Sequence, residues 1–380
     1  MKNLVLIASS LLLASCSFTN QATFTPEYKN QYNELYTVEI PEHYELVLIM
    51  MAISEVGQTD SSFMDMTTPY YHEVQQHFKK YENHKMIRKI NRKIKKPEHT
   101  MSYMHAIVYR TNALAYKINS TNELVYGNIL PLRYAFPFVR NPLKKHRKHI
   151  NSFIRESHFR EFYSEHKPFY DSLIQDYKKH VPLTQMVEWL NDKFPDITYN
   201  NFTVIASPLI KNPNYTRRFY DTTFQQAIMS VGAHKNNNKE INTGGHRAIF
   251  TEVDHNYVNP VSDDYYKRID ETFENLDTWR KEGNLTDAYG SPYKVFNEYM
   301  TWGLFSLFAL DNYDAQTAKK AIKSSENTMI YYRNFINFEE FNQKLISLYT
   351  NNSKITIEEI YETMLTWSEN FQPESTNDGD

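Results

Sequence analysis

Along most of the chain, apolar residues recur at intervals of three and four, the spacing of helices that bury one face. Residues 42–55 (EHYELVLIMMAISE) place Leu46, Ile49, Met50 and Ile53 at that spacing and read as the first buried helix. Residues 57–69 read as a loop. The periodicity resumes over 70–96 as one long helix, or two broken near Asn83, with Pro97 as the stop. Residues 151–180 are helical in pattern, and 183–193 form a short amphipathic helix ended by Pro195.

The texture then changes. NFTVIAS (201–207) is short and β-branched, the signature of a strand, and QQAIMSVG (225–232) reads as a second. Residues 236–245 are polar and end in Gly244-Gly245, a turn. Helical periodicity returns from His246 to Tyr257, with Pro260 as its expected stop. Further helices fill 262–281, 293–310, 338–348 and 357–367. No internal repeat is visible. The pattern predicts a mainly α fold with a small β-sheet, in the α+β class.

Composition narrows the function classes. Hydrophobic residues make up 41% of the 380 positions and charged residues 23%, so the chain has the means to build a core. The formal net charge of −3 gives no overall attraction to nucleic acid or anionic lipid. Two basic runs stand out, KMIRKINRKIKK (85–96) and KKHRKH (144–149). A basic amphipathic segment can touch anionic headgroups, but in a slightly acidic chain each run reads first as a solvated helix face. With one cysteine there is no intramolecular disulfide and no thiolate zinc cluster. No P-loop, dinucleotide fingerprint or nucleophile elbow appears.

The single cysteine has a distinctive place. Lys2 and the apolar run from Leu4 to Ala14 fit an export signal, and the run is too short to span a bilayer. Leu13-Ala14-Ser15-Cys16 resembles the bacterial lipobox. That resemblance implies a signal peptide over 1–15, lipidation at Cys16, and anchoring in the bacterial cell envelope at the outer membrane or cell surface. Residues 16–36, rich in Asn, Gln and Thr, then read as a polar tether. A single domain is expected over 37–371, with a helical part (37–200) and a strand and active-site-helix part (201–371). An acidic, frayed tail would occupy 372–380.

The chemistry-bearing segment is HRAIFTEVDHNYVNP (246–260). On a helix, Thr251 and His255 share a face, with Glu252 between them. Some forty residues on, FNEYMTWG carries Glu298 inside another apolar helical stretch. The arrangement resembles the gluzincin metallopeptidases, whose H-E-x-x-H helix supplies two zinc imidazoles and a general-base Glu, with a Glu on a following helix as third ligand. More narrowly, His255-Asn256-Tyr257-Val258-Asn259-Pro260, Glu45-Leu46-Val47-Leu48 and Ser207-Pro208-Leu209 resemble an uncharacterised family of bacterial envelope proteins with a gluzincin-like domain of unknown function. That resemblance spans roughly 36–371. It implies a zincin fold, His255 and Glu298 as ligands of a divalent metal (zinc foremost), and Glu252 as general base. It also implies an edge strand at NFTVIAS where a peptide would add.

One position departs from the pattern. Thr251 stands where the first zinc-binding His belongs, and a neutral hydroxyl is a poor zinc ligand. Glu252 entering the coordination sphere, or His234 reaching in as a substitute ligand, would repair the site. His246 is out of phase on the helix and points away. Asp254 cannot share the face of His255 and reads as solvent-facing or as an orienting group. The bland alternative makes Glu252 and His255 a surface pair and gives Glu298 an arginine partner. Two functions follow: a membrane-anchored metallopeptidase with an altered site, or an inactive relative that binds a peptide or glycan.

Overall fold

The computed structural model describes residues 19–95, 100–127, 140–233, 241–283, 286, 289–352 and 355–373. The export segment through Cys16, His234 and the tail beyond Pro373 lie outside the described residues. The chain is α+β, mostly helical with a small mixed sheet. It divides into two compact units, one over 18–184 and 199–237, the other over 185–198 and 238–380. The strands and the His255 helix belong to different units.

The first unit holds a five-stranded sheet: β1 (Thr19–Gln21), β2 (Tyr36–Glu39), β5 (Asn201–Ser207), β6 (Tyr215–Tyr220) and β7 (Gln225–Gly232). A separate hairpin pairs β3 (Tyr116–Ile118) with β4 (Leu124–Tyr126). The sheet order is β1-β6-β7-β5-β2; only β6 and β7 pair antiparallel. NFTVIAS is β5, paired on both sides and buried along its length, so it offers no free edge for a peptide. Its apolar and β-branched residues suit a strand covered on both faces, and its polar Asn201 and Thr203 are buried with hydrogen-bond partners.

The stretch expected to be a tether is folded from Thr19 onward. It contributes β1 and the helix α1 (Pro26–Gln31), and it buries Ala22, Phe24 and Tyr32. Composition misled here because three apolar side chains among many polar ones suffice to dock a short segment. The helix α2 (Glu42–Ala52) is buried at every position from Tyr44 to Ala52, as an almost wholly apolar helix must be. α3 (Glu55–Thr59) follows and runs into the expected loop. The next stretch is indeed broken near Asn83, into α4 (Pro69–Phe78) and α5 (Lys85–Asn91). Four further helices complete this part: α6 (Thr100–Ala113), α7 (Pro142–Glu156), α8 (Phe159–Glu165) and α9 (Lys167–His180).

Among its described residues, the regular elements of the second unit are all helical. Most of α10 (Leu183–Lys193) belongs to it, with α11 (Thr243–Asp264), α12 (Tyr266–Thr272), α13 (Pro292–Asn312), α14 (Ala315–Asn327), α15 (Phe338–Asn351) and α16 (Ile357–Glu369). Aromatic side chains fill its core: Phe250 of α11 packs on Phe305 and Phe308 of α13 and on Trp189 of α10. α11 does not stop at Pro260 but runs through it. A proline inside a helix removes one N–H and crowds the preceding turn. Here tyrosine hydroxyls serve neighbouring carbonyls, Tyr361 on Val258 (3.1 Å) and Tyr293 on Asn259 (3.2 Å). Tertiary hydrogen bonds and burial thus hold the helix through a residue that would end it in isolation.

Candidate functional site

The residues singled out by the motif lie on α11 and α13, which pack against each other in the second unit. α11 is capped by Asn242, whose side chain accepts from the N–H of Gly245 (2.9 Å). Asn297 ties the two helices by donating to Asn259 (3.0 Å). That contact fixes the register at which Glu298 meets His255, and Glu298 Oε1 lies 3.6 Å from His255 Nε2. The family resemblance put these two side chains together, and the fold does bring them together.

The second oxygen of Glu298 is engaged by a residue the sequence reading did not name. Arg333 Nη2 lies 2.7 Å from Glu298 Oε2 and donates to the Tyr289 hydroxyl at 2.8 Å. Both charged side chains are almost wholly buried. Arg333 arrives there through an unusual backbone. α14 continues into a π-type turn over Thr328–Tyr332, closed by the N–H of Arg333 on the Thr328 carbonyl (3.0 Å). Asn334 then reverses the chain in the left-handed region (φ 60°), which asparagine tolerates better than most residues. Single π-type turns of this kind often mark functional positions.

A layer of cations and rings surrounds the pair. The guanidinium of Arg333 lies 4.8 Å from the centre of the Trp302 ring, and that of Arg247 lies 4.6 Å from the same ring. Arg247 also donates to the hydroxyls of Ser325 (3.2 Å) and Thr328 (3.3 Å). Trp302 is four residues after Glu298 and Arg247 four before Thr251, so each shares a helix face with a motif residue. That spacing was the available signal for both. Arg333 left none, because only the π-type turn and the reversal at Asn334 aim it at Glu298.

Electrostatics follow from these contacts. Burial alone would raise the Glu298 carboxyl, but the Arg333 charge and then His255 outweigh it and bring it down to about 2. Burial would likewise lower His255, yet its contact with Glu298 holds the imidazole above its ordinary value. Burial also pulls Arg247 down to about 10, assisted by repulsion from Arg333. Asp254 is not solvent-facing. It is fully buried, neither carboxyl oxygen has a hydrogen-bond partner among the described residues, and burial with the nearby charges of Glu298 and Glu252 holds it well above the carboxylate range. Its place on the inner face of α11, beside His255 rather than on its face, explains the burial.

The remaining candidates resolve as follows. Glu252 is half-buried on α11, and its charge acts on both His255 and Asp254. Thr251 is buried and its hydroxyl turns back to the Ala248 carbonyl (3.4 Å) within its own helix. His246 pairs with the Tyr313 hydroxyl (2.9 Å), away from His255.

The donor set can be tested against a zinc centre. Two ligands of one tetrahedral zinc, at about 2.0–2.1 Å each, stand roughly 3.3 Å apart, so the His255–Glu298 spacing alone is permissive. The surroundings are not. Thr251 supplies no imidazole, a guanidinium holds the other Glu298 oxygen, and no group of three or more His, Cys, Asp or Glu among the described residues is placed to hold a metal ion. Among the described residues, the donor set does not fit a gluzincin zinc site.

Residues 36–364 match the model of a family described as a domain of unknown function, DUF4932, and the chain belongs to that family. Searches of curated proteins and of solved structures give no match. Among the described residues no helix is long and apolar enough to cross a membrane.

Proposed function

We propose that this chain is a lipid-anchored protein of the bacterial envelope whose body is a metallopeptidase-like scaffold retained for binding rather than hydrolysis. The export signal ending at Cys16 supports the address. The observation that carries the binding reading is the buried ion pair of Arg333 with Glu298. In a working gluzincin site the corresponding carboxylate gives its charge to the metal; here that charge already balances a guanidinium. With Thr251 in place of the first imidazole, His255 serves as a second partner of the same carboxylate.

A peptide or glycan is the ligand class such a scaffold would present itself to, and the rings and guanidinium groups around Trp302 offer flat surfaces for it. The reading is tested by incubating the purified full chain, with zinc in excess, with a mixed peptide library. It predicts no cleavage above that of a Glu252→Gln variant. Zinc-dependent cleavage that Glu252→Gln abolishes would establish the metallopeptidase instead.

A further inference from the structure

The two basic runs are not separate faces. The first forms α5 and the turn after it, where Ile87, Ile90 and Ile94 are buried and the cations point outward. The second forms the first half of α7, which packs against α5 in the first unit. Lys85, Arg88, Lys89 and Arg92 fall at intervals of three and four, so they make one stripe along α5. His149 of α7 faces that stripe across a recess of about 230 Å³ lined by these five side chains.

Among the described residues, the recess has no acid in its lining. Arg88 donates to the Asn83 carbonyl and Arg92 to the Arg88 carbonyl (3.3 Å), and none of the four cations has a carboxylate partner among the described residues. Three described acids of this unit have other partners: Glu82 bonds Gln58 (3.2 Å), Glu123 pairs with Arg155 (3.7 Å), and Glu156 with Ser152 and His84. The cations crowd their neighbours as well. Burial lowers His146, and the charges of Lys145, Lys89 and Arg92 lower it further. In a chain of net charge −3, converging this many like charges on one recess raises the energy of the free protein. A bound anion would relieve that repulsion, and several donors converging on one point suit the oxygens of a phosphoryl group.

We propose that the recess between α5 and α7 is a binding site for a phosphate-bearing anion. A headgroup phosphate of an anionic lipid and a free phosphate share that chemistry. The site is independent of the Glu298 cluster and stands whether that cluster binds a ligand or a metal.

The test uses the chain from residue 17 onward, so that neither the apolar export segment nor an acyl group contributes. Sedimentation with vesicles containing phosphatidylglycerol, and calorimetry with inorganic pyrophosphate, distinguish the two sources. The variant is Lys85→Gln/Lys89→Gln/Arg92→Gln. The control is Lys178→Gln/Lys179→Gln/Lys211→Gln, which removes the same charge from exposed positions outside the recess. At least a tenfold loss of binding to vesicles or to pyrophosphate in the variant, with the control near wild type, is the expected result. Phosphatidylcholine vesicles should not bind. No binding of either probe by the wild type, or equal losses in variant and control, would overturn the proposal. Since the substituted side chains lie on the surface of α5, unchanged circular dichroism and melting should accompany the loss.

Discussion

Arg333 and Glu298 form an ion pair of 2.7 Å, shielded from water and assembled from two elements thirty-five residues apart in sequence. A buried carboxylate in that position needs a counter-charge.

Removing one partner should therefore be costly. Arg333→Met leaves Glu298 buried with only His255 nearby, and breaking a buried pair costs about 3–5 kcal/mol. Chemical denaturation is expected to show a loss of that order. Adding Glu298→Gln should restore most of it, since the orphaned charge is then gone. A double variant no more stable than Arg333→Met would show that the arginine matters through packing on Trp302 and Tyr289 instead.

Backbone proximity fixes a second position. At Gly57, a Cβ would stand 1.9 Å from the Met51 carbonyl oxygen and 2.8 Å from the Ala52 Cα, both main-chain atoms that cannot swing aside. Gly57→Ala is predicted to destabilise the chain by more than about 3 kcal/mol, measured by urea unfolding. It lies in the first unit, so the contacts around Glu298 should be untouched in whatever folded fraction remains.

The first unit also carries a pH signature. Burial pushes Glu45 up to about 7 against the lowering pull of Ser207 and Tyr70, whose hydroxyl donates to it at 3.0 Å. Glu39 is likewise raised by burial to about 7, despite the Tyr32 hydroxyl at 3.2 Å. In the unfolded chain both titrate near the ordinary value of 4.5. Between that value and about 7 the folded state binds more protons than the unfolded one, so stability falls as pH rises across this window. Each group would contribute on the order of 3 kcal/mol. Unfolding free energies at pH 5 and pH 8 should differ in that direction, and Glu45→Gln should flatten the slope. A slope of opposite sign would refute the assignment.

How much of this was legible in the sequence depends on the range of the interactions. α10, β5 and β7 were readable to the residue, because local periodicity marks each, with flanking Pro punctuating α10 and β5 and Gly232 ending β7. Strands β1, β2 and β6 were not. β6 carries two arginines within TRR and owes its strand state to its pairing with β7. The continuation of α11 through Pro260 was hidden for the same reason, since the tyrosines that stabilise it come from α13 and α16. At the site, His255 and Glu298 were legible as a pair from family-like spacing. Arg333 was not, because its approach depends on a π-type turn and a left-handed asparagine, neither of which has a periodic signal.

Zinc stoichiometry bears most directly on the role of Glu298. The full chain would be equilibrated with zinc, freed of excess, and analysed for metal beside a His255→Ala/Glu298→Ala variant. A Glu298 committed to Arg333 predicts well under one zinc per chain, with no difference between the two proteins. One zinc per chain in the wild type, absent from the variant, would contradict it and return the site to metal chemistry.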